Sequence, residues 1–160
     1  MKNKALYPAV AIIMLLSNVY AEQQSENTPA VVASQEEALG QTAAPWLNIA
    51  LERILTYDKL ASVLEKVNDK ITAEAAVAET QSIIELLKEL NKKEIALAVP
   101  TEEVAAYVEA QLLDTDIADL SERVITKVIE LLAQTDPPCH GSRELSNALY
   151  AFSEMIMATE

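Results

Sequence analysis

Apolar residues recur along this chain at steps of three and four, the spacing that lines one side of a helix. Leu47, Ala50, Ile54, Tyr57, Ala61 and Leu64 form one such set, and Ala76, Thr80, Ile83, Leu87 and Leu90 form a second. Together they predict a helical hairpin from Trp46 to Leu97 that turns near Asp69–Thr72, with Thr72 as the cap of its second helix. Pro45 suits the first turn of the first helix, because its missing N–H costs little there. A weak point is expected near Thr56–Asp58.

A third set, Val104, Val108, Leu112, Leu120, Val124, Val128 and Leu131, follows Pro100. Thr101 is its expected N-cap, with Glu102 and Glu103 placed where the helix dipole favours negative charge. This segment either runs to Ala133 or breaks at Asp114-Thr115-Asp116. Asp136-Pro137-Pro138 stops it. Ser142 then caps a last helix with the face Leu145, Ala148, Leu149, Phe152, Met155 and Ile156. The second helix has apolar residues on two sides, Ile83 with Leu87 and Ile84 with Val77, so it is expected at the centre. The first helix and the Val104–Leu131 segment should flank it. Glu89 and Lys93 form an expected pair four apart.

Composition supports an all-α fold, an antiparallel bundle of about four helices built on the hairpin. Ala, Leu, Glu and Gln abound, whereas glycine occurs twice, at Gly40 and Gly141. Residues 22–44 are polar without lasting periodicity and read as a disordered leader. That leaves residues 45–160 as the bundle domain.

Residues 1–21 have the three parts of a secretory signal peptide. Lys2 and Lys4 open it, Ala9 to Leu16 is an apolar run, and Val19 and Ala21 suit the cleavage site. The run is well short of the roughly 20 residues a membrane span requires. The expected location is therefore exported, periplasmic or extracellular, with no stable membrane span after cleavage. Residues 1–21 hold two of the 12 Lys and Arg and none of the 25 acids, so residues 22–160 carry a net charge of −15. Such acidity argues against nucleic acid and against anionic lipid as partners.

Candidate chemistry is sparse. Cys139 and His140 are the only Cys and the only His, which rules out zinc sites made of those residues alone. Neighbours in an extended loop point apart, so they do not read as nucleophile and base. In an oxidising compartment an unpaired Cys139 on an accessible loop is a candidate for an intermolecular disulfide. Asp114-Thr115-Asp116 opens like a calcium loop, but Asp119 stands where Gly is needed and Ile125 where Glu is needed. Trp46 is a core residue or a partner-contact residue, since Trp is common at binding hot spots.

No cofactor, metal or catalytic residue is expected. The expectation is a non-enzymatic exported protein that acts by contact with a protein partner or with itself. The competing expectation is a carrier of a small apolar ligand held between the helices.

Overall fold

A computed structural model describes residues 29–113, 115, 117–133 and 137–157. The signal-peptide reading of residues 1–21 and the first part of the leader lie outside these residues, as do Asp114 and Asp116. The described chain is all-helical, with α1 (Pro29–Leu64), α2 (Lys70–Ala96), α3 (Glu102–Leu112), α4 (Ile117–Ala133) and α5 (Arg143–Met157). A 3-10 turn, Cys139–Gly141, precedes α5.

The contacts between helices fix their directions. Arg53 meets Asn91 and Glu94, Glu52 meets Lys93 at 3.4 Å, and Lys59 meets Glu79 at 3.4 Å, so α1 and α2 are antiparallel. Tyr107 lies against Gly40, while Arg123 reaches Asp58 and Glu65. Thus α3 and α4 follow one another along α1 in the same direction, as an interrupted rod. Tyr57 and Phe152 meet edge to face, with centroids 6.2 Å apart. The turn before α5 packs on α2, α4 and α5, at the end of the bundle where α1 gives way to α2. So α5 runs against α1.

In the resulting arrangement α1 touches α2 and α4, and α5 touches the same two helices. The Tyr57–Phe152 pair bridges the diagonal. Members of this four-helix core alternate in direction along the chain, but the touching pairs α1/α4 and α2/α5 run parallel, so the expected antiparallel bundle holds only for α1/α2 and α4/α5. The link from α2 to α4, however, crosses to the α1 side through α3. This corrects the expected centre. α1 contacts three other helices, and α2 is flanked by α1 and α5 rather than by the Val104–Leu131 segment.

Most predicted face residues are buried, while Leu47, Ala50, Ile54, Tyr57, Met155 and Ile156 are half-buried. Ala61, Leu64, Ala76, Thr80, Ile83, Leu87 and Leu90 are buried, as are Leu120, Val124, Val128, Leu131, Leu145, Ala148, Leu149 and Phe152. A second, smaller apolar cluster holds Ala43, Val104, Val108 and Leu112.

Five local expectations need correction. The chain is helical from Pro29, so residues 29–44 are not the disordered leader expected from their polarity. Ala43 is fully buried and Leu39 packs on the second cluster, and this tertiary contact outweighs the local composition. Pro45 accordingly lies inside α1 and not at its first turn. α1 passes Thr56–Asp58 without a break, and the Thr56 hydroxyl donates to the Glu52 carbonyl at 2.6 Å. Asp69, not Thr72, is the N-cap of α2. Its Oδ1 accepts the Thr72 N–H at 2.8 Å while Thr72 Oγ1 accepts the Asp69 N–H at 3.0 Å, a reciprocal capping box. The expected Glu89–Lys93 pair is also replaced: Lys92 takes Glu89 at 2.6 Å, and Lys93 turns to Glu52.

Thr101 and Ser142 cap α3 and α5 as expected, accepting from the Val104 and Leu145 N–H groups at 3.4 and 3.3 Å. Of the two readings for the third segment, the break is the one observed. The Thr115 hydroxyl donates to the Leu112 carbonyl, satisfying an end group of α3.

Candidate functional site

The part of the molecule that stands apart from the bundle is the pairing of α1's N-terminal half with α3. Lys93 lies beside Glu52, so α2 ends at Ala96 about one turn further along α1. From there to Pro29 roughly 30 Å of α1 projects past α2, at about 1.5 Å per residue. Of the other helices, α3 packs against this projection.

One stripe of α1 records the change. Leu39, Trp46, Arg53 and Leu60 are seven residues apart, and Ile49 and Thr56 stand three beyond Trp46 and Arg53. Seven residues are nearly two turns, so all six lie on one side of the helix. Beside α2 the stripe is sealed: Leu60, Thr56 and Arg53 are 0, 5 and 7% exposed. Beyond the end of α2, Ile49, Trp46 and Leu39 are half-buried. α3 covers one flank only, through Val104, Tyr107 and Val108. Close approach on that flank depends on Gly40, where a Cβ would meet the Tyr107 hydroxyl at 3.0 Å.

The lobe carries a single sign of charge. The sequence holds no Lys or Arg between Lys4 and Arg53, and none between Lys93 and Arg123. These two stretches supply the two packed helices. Glu36, Glu37, Glu102 and Glu103 are all exposed. Tyr107 lies level with Gly40 in parallel register, so Glu103 falls level with Glu36. No ion pair among the described residues reaches any of the four.

Where the lobe meets the bundle, Arg53 forms a buried clamp. Its Nη2 donates to Asn91 Oδ1 at 2.9 Å and to Glu94 Oε2 at 2.5 Å. Its Nε is buried with no acceptor. Tyr57 is one turn further along α1, and burial pushes its hydroxyl pKa up, with Arg53 opposing and Glu94 reinforcing that shift.

Trp46, read from the sequence as a core or a partner-contact residue, stands in the lobe as a half-buried side chain packed on the second cluster. Cys139 lies at the far end of the bundle, where its surroundings differ from the expected accessible loop. Its side chain is 0% exposed, within the main core, and burial raises its thiol pKa. Cys139, His140 and Gly141 have φ of 51, 52 and 89°, so the chain makes a left-handed turn that tucks the thiol inward. A disulfide to a second chain would require this corner to open. Trp46 and Cys139 are not brought together.

Glu65, Asp119, Glu122, Arg123, Thr126, Lys127 and Glu130 line an open depression of about 490 Å³ between α1 and α4. Arg123 is held there by Glu65 at 2.7 Å, and Lys127 by Glu130 at 3.3 Å. Among the described residues no group of three His, Cys, Asp or Glu is placed to hold a metal ion. No described helix is long and apolar enough to cross a membrane.

These features define an all-helical protein with an acidic, half-covered two-helix lobe. The chain matches no protein-family model, no characterised protein and no solved structure in comparisons with each.

Proposed function

We propose that this chain is an exported, non-enzymatic helical protein that works by protein–protein contact through the α1/α3 lobe. The observation that carries the reading is the α1 stripe. It is sealed by α2 at Arg53, Thr56 and Leu60, then continues half-covered through Ile49, Trp46 and Leu39, with α3 on one flank. A helix face that stays apolar past the end of its partner is built to meet something else. Trp46 is the natural anchor, as a large aromatic beside a helical groove. The export half of the proposal rests on Lys2, Lys4, the Ala9–Leu16 run and the small residues at Val19 and Ala21. No observation in the bundle core favours the carrier reading over contact.

The test is photo-crosslinking in the native host with a benzophenone amino acid in place of Ile49. A discrete adduct is expected at Ile49 and none at Glu144, an exposed position on α5. Equal labelling at both positions, or none at Ile49, would sink the proposal.

A further inference from the structure

The charge of the lobe specifies its partner further. We infer that the Leu39–Trp46–Ile49 face takes a cationic amphipathic helix of another protein, a segment with Lys or Arg beside an apolar stripe. This rests on the contact reading above and adds the chemistry of the partner.

Two independent observations converge. The first is the half-buried apolar stripe, whose flank away from α3 fits the apolar side of a helix laid along α1. The second is the charge at its Leu39 end. Both helices of the lobe come from stretches of sequence without a single Lys or Arg, and the register sets Glu36 and Glu37 level with Glu102 and Glu103. The fold therefore juxtaposes two acidic segments that are over 50 residues apart in sequence. Elsewhere the surface mixes signs: Lys59, Lys70, Lys88, Lys92, Lys127 and Arg123 each lie beside a carboxylate. A second copy of this chain would bring the same negative charge to the face, so like-charge repulsion disfavours it. An anionic membrane is disfavoured for the same reason. A basic helix gains on both counts, burying its apolar side while its cations answer the acidic end of the lobe.

Trp46 is the chain's only tryptophan, so its emission reports directly on this face. The full chain is titrated with a Trp-free Leu/Lys amphipathic peptide and with its Leu/Gln and Leu/Glu counterparts. The Leu/Lys peptide should shift Trp46 emission saturably. Its affinity should fall about tenfold between roughly 50 mM and 500 mM NaCl, because the pairing is at an exposed rim. A variant with Gln at all four of Glu36, Glu37, Glu102 and Glu103, checked for unchanged helicity, should also bind it about tenfold more weakly. A Leu/Gln peptide that binds as tightly as Leu/Lys overturns the cationic partner and leaves the contact reading intact. Failure of every peptide to move Trp46 overturns both. A dimer in sedimentation velocity that is lost on Trp46→Ser makes a second copy the occupant and overturns the inference.

Discussion

Removing Glu94 should cost far more than removing Arg53, although the two are partners in one ion pair. In Glu94→Ala the Arg53 guanidinium stays where it is, with its side chain 8% exposed and Asn91 as the remaining acceptor. Its Nε already lacks a partner. Breaking a buried pair from one side costs about 3–5 kcal/mol. Glu94 is 26% exposed, so water already screens part of the attraction, and we place the loss at about 2–3 kcal/mol.

Arg53→Met is the contrasting change. It keeps an unbranched stem in the α1/α2 interface, removes the orphaned Nε, and leaves a carboxylate that can turn to solvent. It should lie within about 1 kcal/mol of the parent. The assay is urea unfolding followed by helical circular dichroism for the parent, both single variants and the double variant. With a slope of about 1–3 kcal/mol per molar urea, Glu94→Ala should lower the midpoint by about 1–2 M. In the Arg53→Met background the same change should cost almost nothing. If Arg53→Met destabilises as much as Glu94→Ala, the clamp is a net source of stability and the reasoning is wrong.

Other outcomes follow from single sites. Leu87 is 1% exposed, so Leu87→Asp should abolish the helical signal at room temperature, whereas the exposed Leu86→Asp should stay folded. Native protein should react with a thiol reagent only at the rate at which the Cys139 corner opens, and reductant should leave its sedimentation unchanged. Cys139→Ser should fold with a lower melting temperature, because a hydroxyl then replaces the buried thiol. The capping hydrogen bonds from Thr72 hold Asp69 below the usual carboxylate range. Its contribution to stability is thus fully present above the unfolded-state pKa and is lost as pH falls through the lower folded-state value. An acid titration of Asp69→Asn should therefore be flatter across that window than that of the parent, since Asn caps without titrating.

The long faces were legible because their period is set by the helix itself. Leu145, Leu149 and Phe152, or Val104, Val108 and Leu112, can be buried together only on one side of one helix. Thr101 and Ser142 were legible as caps because each follows a proline stop and opens an apolar pattern. Asp69 was readable too, since the Asp-x-x-Thr spacing of Asp69 and Thr72 is that of a capping box.

Other features depend on contacts that no local pattern encodes. Pro45 resembles a helix start, yet α3 holds the preceding residues in the helix through Ala43 and Gly40. Cys139 resembles an exposed loop residue, and it is the left-handed turn that carries it inward. For Arg53 a signal did exist, because it falls in the apolar stripe between Trp46 and Leu60. A charge there implies a buried partner, but only the α1/α2 register names it as Glu94. The acidic lobe is the same kind of case: each basic-free stretch is visible in the chain, but their pairing is a property of the fold.

Ile54 packs against both apolar clusters, and among the described residues it is the only side chain they share. Apart from the backbone of α1 and the α3–α4 joint, the lobe is thus tied to the bundle by Ile54, by Ile117 of α4 and by the Arg53 clamp. Cooperativity between the two parts is correspondingly thin. The lobe is therefore expected to open more readily than the four-helix core. In return, a ligand gripping the lobe would stabilise the lobe far more than the core.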